Sequence, residues 1–265
     1  MGARPRAVLS DGRRIAVSRE RRVCHPGAVG TDAVVTLDSD EAHHVTRVLR
    51  LREGDALGVF DGRGREWEGV VVEAGRVGVR VRLDDERTDP VDPALEVVLY
   101  QGICRPDRMD WIVQKAVEVG ASALRTVCTA RSEVSRPSPA RLERWRRIAR
   151  EACKQSGRRR IPEVDDVEGL PPAAGVFALA LAPGPDVPPL GARLGAPRER
   201  AVWLAVGPEG GFGDEEVSDL TARGWRTASL GPRTLRTETA GLVACALVLH
   251  AWGDLGTVPG SGPGV

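Results

Sequence analysis

Lysine is nearly missing: it occurs only at Lys115 and Lys154, so all but two of the 38 basic residues are arginine. Anions are therefore met by a planar fork that grips two oxygens at once, not by a compact ammonium. Paired cysteines are missing too. Cys24, Cys104, Cys128, Cys153 and Cys245 are odd in number, far apart and without a C-x-x-C. That spacing excludes a disulfide framework or a zinc site and leaves buried or free thiols of a reducing cytoplasm. His25, His43, His44 and His250 lack ligand spacing as well, and no metal is expected. No long apolar run exists; the longest, Leu242 to Trp252, is too short to span a bilayer. The arginine-rich start carries no apolar core of a secretory signal.

What is present is the balance of a soluble globular chain: 265 residues, 42% hydrophobic and 28% charged. This length suggests just under two domains. The net charge of +1 hides two basic zones. Arg141 to Arg160 holds nine basic residues and two acids, and Met1 to Arg52 holds ten arginines and six acids. Such zones suggest a polyanion partner, with two solvated faces as the plain alternative.

The chain divides by pattern. Residues 1–21 form an arginine-rich, flexible extension. From 22 to 88 short β runs dominate: Val34–Leu37, Asp55–Gly62, and WEGVVVEAG with RVGVRVRL as a hairpin. A helix is expected over Asp40–Leu51, capped by Ser39 or Asp40, with Val45, Val48 and Leu49 as its apolar stripe. Several short strands in this length suggest a small barrel. The acidic, proline-bearing stretch Asp84–Pro93 has linker composition. From 94 to 254 strands alternate with helices, and residues 255–265 form a Gly/Pro tail. The strands expected are LEVVLYQ, Leu124–Thr129, Val176–Ala182, Ala201–Gly207 and Thr227–Leu230. The helices expected are Arg108–Val119, Pro139–Ser156, Asp214–Arg223 and Thr237–Trp252. Apolar strands between helices indicate a parallel sheet covered on both faces.

Four segments can carry chemistry. In LAVGPEGGFG an apolar strand runs into Gly207-Pro208-Glu209-Gly210-Gly211, at the end of the sheet where α/β proteins bind ligands. The spacing is neither G-x-G-x-x-G nor a P-loop, and Asp214, Glu215 and Glu216 would repel phosphate. A cofactor without phosphate, held by backbone groups, fits it; a tight turn without a ligand is the alternative. In LGPRTLRTETA, Thr237 is a good N-cap and Glu238 suits the helix dipole, while Arg233 and Arg236 exceed what a cap needs. The helix RLERWRRIAREACKQSGRRR offers Arg144, Arg147, Arg150, Lys154 and Arg158–Arg160 as a phosphate-tracking surface, or as cations favouring its dipole. Near the start, His43, His44, Arg47, Arg50 and Arg52 edge the barrel as an RNA contact, although a histidine pair is commonly structural.

Together, HH-x-x-x-VLR, RW-x-x-I-x-x-EA-x-x-QS-x-R, GPEGG and LG-x-R-x-LRTETA, in this order along the chain, resemble the bacterial small-subunit ribosomal RNA uridine N3-methyltransferases of the SPOUT superfamily. DRMDWIVQKAVEVGA resembles the K-A-x-E-x-G helix of that family. The match runs from about Arg22 to Trp252. The resemblance implies an α/β fold: a PUA-like RNA-binding β-barrel over 22–88, then a trefoil-knotted parallel-sheet SPOUT domain over 94–254. It implies a cytoplasmic homodimer, away from membranes. S-adenosylmethionine would lie against Gly207, Pro208, Glu209, Gly210 and Gly211, opposite Leu230, Gly231, Leu235 and Arg236, with Leu181 at an earlier strand end. N3 of a uridine in the decoding region of 16S ribosomal RNA would be methylated, as naked RNA or in the assembled small subunit. Arg236 would stabilise the uridinate, and Glu238 would orient groups or accept a proton. RNA contacts would fall on Arg22, His44, Arg47, Arg50, Arg131, Arg147, Arg150, Lys154, Gln155 and Arg158. The sequence departs from the family at Val23 and Cys24, where aromatics are usual, and at Thr234, where a branched apolar residue is usual.

Other readings stay open at this level. One is a SPOUT enzyme acting on ribose 2′-OH or transfer RNA, although no asparagine-rich first motif is present. Another is a non-catalytic RNA-binding ribosome-assembly factor on the same fold. A small-molecule enzyme with a nucleotide cofactor lacks its phosphate-binding fingerprint.

Overall fold

The computed structural model describes residues 7–8, 14–15, 21–75, 78–133, 136–195 and 199–256. The extension expected over 1–21 lies outside these residues except for two short paired strands, β1 (Ala7–Val8) and β2 (Arg14–Ile15), and residue 21. The tail expected over 255–265 lies outside them after residue 256. Among the described residues no helix is long and apolar enough to cross a membrane. The chain forms two compact units, Met1–Asp92 with Cys153–Ile161, and Pro93–Ala152 with Pro162–Val265.

The first unit is built on a five-stranded sheet. Its strands are β3 (Arg22–Cys24), β4 (Val34–Thr36), β5 (Ala56–Phe60), β6 (Glu66–Gly75) and β7 (Gly78–Glu86), in the order β3-β5-β6-β7-β4. β3 pairs parallel with β5; the remaining pairs are antiparallel. Alternation along β7 turns Val79, Val81 and Leu83 inward, where they meet Val59, Trp67 and Val71. Between β4 and β5 the helix is shorter than its pattern suggests: α1 (Ser39–His43) passes into one π turn, His44–Val48. Its cap is Asp38, one residue before the two expected, whose carboxylate accepts the Glu41 amide at 2.8 Å. The wider π turn rotates Val48 out to solvent, so only Val45 of the expected stripe is fully buried.

β6 does not alternate, because Glu66 and Glu68 are buried alongside its apolar residues. Glu66 receives Arg22 Nε at 2.8 Å and Arg159 Nε at 3.0 Å. Arg22 also donates to the carbonyl oxygens of Cys153, Lys154 and Arg158. Arg158 pairs with Asp92 at 2.9 Å, Arg159 with Asp89 at 2.8 Å, and Lys154 with Glu41 at 2.6 Å. A buried charge is tolerated only when paired and hydrogen-bonded, and these cations are. This network draws Cys153–Ile161 into the first unit.

The second unit is a six-stranded, wholly parallel sheet ordered β10-β9-β8-β12-β11-β13. In chain order its elements are β8 (Glu96–Gly102), α2 (Pro106–Val119), β9 (Ala123–Val127), α3 (Pro139–Ser156) and β10 (Glu163–Val167). β11 (Phe177–Leu181), α4 (Leu190–Arg193), β12 (Ala201–Val206), α5 (Asp214–Ala222), β13 (Arg226–Ala228) and α6 (Thr237–Trp252) follow. Central strands β8 and β12 are apolar on both faces, as a covered parallel sheet requires. α2 opens on Pro106 and closes on Gly120 in the left-handed region, φ 119°. On one face Tyr100 meets Trp203 and Trp225 edge-on, each at 5.6 Å. The acidic edge strand β10 was not expected from sequence; Arg125 and Arg146 pair with its Asp165, and Arg125 also with Glu163.

Glu68 differs from Glu66: its Oε1 lacks a hydrogen bond, and its nearest cation is Arg87 at 3.8 Å. Burial pushes its carboxyl pKa above the ordinary value of 4.5, with Arg87 opposing. The native state therefore binds this proton more tightly than the unfolded chain. Its stabilising effect is present below pH 4.5 and is lost as pH rises through the elevated native value. Glu68→Gln removes that loss, so its melting temperature should gain on the parent as pH rises above 4.5. A gap that stays constant with pH contradicts this account.

Candidate functional site

Strands β12, β11 and β13 lie side by side, and their carboxyl ends carry three loops: Gly207–Gly213, Ala182–Pro189 and Ser229–Arg236. These loops, with the starts of α2 and α6, enclose a cavity of about 770 Å³. That is within the range of roughly 300–1,000 Å³ typical of small-molecule sites. Leu181, Val206, Pro208, Ala228, Leu230 and Leu235 supply apolar wall.

The glycine-rich loop owes its course to close packing. Gly207 folds back on Gly211, where a Cβ would stand 2.6 Å from the Gly211 carbonyl carbon. Gly211 takes φ 68°, and its amide closes a turn on the Pro208 carbonyl at 2.9 Å. Beneath the loop sits Gly102, the last residue of β8. A Cβ there would lie 2.4 Å from Pro208 N and 2.6 Å from the Gly207 carbonyl carbon. From the other side the buried Thr237 hydroxyl donates to the Gly207 carbonyl at 2.6 Å and accepts Gln101 Nε2 at 2.8 Å. Arg131 Nη1 donates to the Gly210 carbonyl at 3.0 Å, and Glu216 receives the amides of Gly213 and Ala130, both at 2.8 Å. The other loops are tied together as well. Ser229 exchanges backbone bonds with Pro188 and Leu190, and Ala182 donates to Ala228.

All expected cofactor residues line this cavity: Leu181, Gly207, Pro208, Glu209, Gly210, Gly211, Leu230, Gly231, Leu235 and Arg236. Gly231 takes φ 104°, and a Cβ there meets nothing within 4 Å. Thr237 is not the cap of α6. Arg236 holds that place, its carbonyl accepting the Thr239 and Ala240 amides, and the Thr237 hydroxyl serves the loop instead. Glu238 does not line the cavity; its Oε2 is buried, has no hydrogen-bond partner and lies 3.7 Å from Arg108 Nη1. Arg108, which does line the cavity, pairs with Glu209 at 3.1 Å. Sequence reasoning missed both Arg108 and Gly102. A charged residue in a first helical turn and a glycine closing a strand carry no signal until the loops arrive.

The residues expected to touch RNA separate by burial. Arg22, Lys154 and Arg158 are corrected: they are 1%, 5% and 4% exposed and spent on internal carboxylates and carbonyls. Their partners come from distant sequence, so a basic run looked like a basic surface. Arg47, Arg50, Arg147 and Gln155 are exposed, and His44 and Arg150 half-buried. Arg131 is exposed, but its guanidinium supports the glycine-rich loop.

Cys104, near the same end of β8, has its thiol pushed up to about 12, chiefly by burial and then by Glu209 and Glu238. It is protonated at neutral pH and is no nucleophile.

The pattern of a family described as an RNA methyltransferase domain matches residues 91–249, and that of an RNA methyltransferase PUA domain matches residues 37–84. A ribosomal RNA small subunit methyltransferase E of Mycobacterium bovis is 36% identical over 82% of this chain and 87% of its own length. Its namesake in Bacillus subtilis is 29% identical over 81% and 89%. Among solved structures, a ribosomal RNA small subunit methyltransferase E of Neisseria gonorrhoeae bound to S-adenosyl methionine superposes with a TM-score of 0.81 at 31% identity. It covers 88% of this chain and 98% of that one. A Legionella pneumophila methyltransferase in complex with the same cofactor gives 0.78 at 30%, over 88% and 98%.

Gly102→Ala should push Pro208 towards the cavity and destabilise the fold by about 1–3 kcal/mol, the usual cost of overpacking. Gly75→Ala, whose Cβ meets nothing within 4 Å, serves as the control. Equal denaturation midpoints for the two variants would contradict the packing described.

Proposed function

This chain belongs to the ribosomal RNA small subunit methyltransferase E family, and on that premise we propose that it methylates N3 of a uridine in the decoding region of 16S ribosomal RNA from S-adenosylmethionine. The cavity at the three strand ends carries this reading, because its walls suit that cofactor. Apolar side chains offer a surface for an adenosyl group. Gly211 and Gly231, with positive φ and open space where a side chain would stand, let a ligand approach the backbone. No phosphate-binding fingerprint is needed.

When bound, S-adenosylmethionine supplies an electrophilic methyl carbon on a positively charged sulfur. The protein's part is to hold the acceptor in line and to favour loss of the N3 proton, which is weakly acidic. Arg236, at the end of the Ser229–Arg236 loop, supplies positive charge for the resulting uridinate. Glu238 stands behind Arg108 and acts through it, not as the proton acceptor. Exposed Arg47, Arg50, Arg147 and Gln155 take RNA backbone, and half-buried His44 and Arg150 add to these contacts.

The protein acts as a homodimer in the cytoplasm, on RNA or the assembled small subunit. Trp111 on α2 and Leu247 on α6 support the dimer: each is 43% exposed, on helices that pack together.

Mass spectrometry of 16S ribosomal RNA tests the reaction. A strain lacking this chain should lose one N3-methyluridine, and complementation should restore it; a ribose methyl in its place would favour a 2′-O enzyme. Arg236→Ala should lower turnover at saturating cofactor and RNA by about 100-fold, the scale of one lost transition-state donor. Full turnover in that variant would remove Arg236 from the reaction.

A further inference from the structure

Three guanidinium groups line the cavity: Arg108, Arg233 and Arg236. They differ in how they are held. Arg233 and Arg236 are exposed, and among the described residues their side chains make no hydrogen bond or ion pair. Arg108 sits in the first turn of α2 and is fixed from two sides. Its Nη1 lies 3.1 Å from Glu209 Oε1 on the glycine-rich loop and 3.7 Å from Glu238 Oε2 on α6. Both carboxylates address one nitrogen. The Nε and Nη2 donors of Arg108 remain without an acceptor among the described residues. One edge of a planar fork is therefore anchored and the other is unspent.

Donors fixed before reaction stabilise developing charge better than donors that must first be ordered. The acceptor chemistry matches such an edge. Uracil N3 lies between two carbonyl groups, and loss of its proton spreads the charge onto their oxygens. A guanidinium edge presents parallel N–H donors to oxygens of this kind. Two carboxylates against one guanidinium leave this corner net negative, so Arg108 acts through directed hydrogen bonds and not through bulk positive potential.

We propose that Arg108 is a further catalytic residue, whose free N–H edge donates to a carbonyl oxygen of the acceptor uracil while Glu209 and Glu238 hold the guanidinium in place. This rests on the reading that the chain methylates uridine N3. The N3 proton passes to solvent, and the N3 electron pair forms the new N–C bond. The C–S bond breaks with its electron pair left on sulfur, so the sulfonium donor becomes a neutral thioether. Arg108 neither gains nor loses a proton.

The test compares the full-length parent with Arg108→Ala and Arg108→Lys on small ribosomal subunits that lack the modification. Product analysis of the parent comes first; a methyl on any atom other than uridine N3 sinks the underlying reading before a variant is assayed. With that reading intact, Arg108→Ala should bind S-adenosylmethionine within about threefold of the parent by calorimetry. It should lose about 100-fold or more in kcat. Its kcat should also rise at higher pH than in the parent, because the uridinate has lost a donor. Arg108→Lys, a point charge without the fork, should fall between the two. A kcat within threefold of the parent, or a reduced kcat with the parental pH profile, overturns the proposal. Should Arg108→Ala fail to fold, the pH profile of Arg108→Lys decides: a shift upward supports the role, and the parental profile refutes it.

Discussion

The second unit depends on how closely its glycine-rich loop approaches the end of strand β8. Gly102 leaves no room for a Cβ beneath Pro208, and the Thr237 hydroxyl holds the Gly207 carbonyl from the start of the last helix. Packing from below and a hydrogen bond from the side together fix a backbone that few intrinsic preferences would hold. A loop so constrained loses little entropy when a ligand settles on it, which is how preorganised sites gain affinity. The same contact places Glu209 within reach of Arg108. Cavity shape and rim electrostatics thus share one cause.

Arginine serves three different ends in this chain. In the first unit Arg22, Arg158 and Arg159 are structural, their charges matched by Glu66, Asp89 and Asp92. Arg131 is a strut, packed along Gly210 with its guanidinium on that residue's carbonyl. Arg108, Arg233 and Arg236 face the cavity. The fork explains this range, since several fixed donors let one side chain satisfy a carboxylate and several carbonyls at once. Arg22 does so with one carboxylate and three carbonyl oxygens, an arrangement an ammonium could not reproduce in the same plane.

Much of this was legible in the sequence, for a physical reason. Strands β8, β11 and β12 are buried on both faces, so their apolar runs announce a covered parallel sheet. The loops that line the cavity stood out in the sequence because glycine at a strand end lets backbone be approached closely. β10 was hidden because its acids are neutralised by arginines from β9 and α3, and its own residues argue against a strand. The π turn was hidden because none of the residues His44–Val48 is a local signal for one. Arg22, Arg158 and Arg159 misled for a similar reason: whether an arginine faces water or a buried carboxylate is decided by residues far away in the chain.

Arg108 is the instructive omission. In sequence it follows Pro106 and Asp107 in an ordinary first helical turn, and nothing local separates it from Arg105. Its significance comes from convergence. Glu209 arrives with β12 and Glu238 with α6, each about a hundred residues or more away, and both reach the same nitrogen. Between two exposed arginines and one anchored arginine on a single cavity, anchoring is the better guide to chemistry. A free side chain must give up rotamer entropy, up to about 2 kcal/mol, before it can act. An anchored one has met that cost during folding, held by a loop and a helix that both help line the cavity. The donor edge offered to the acceptor is then set by the fold, through one guanidinium.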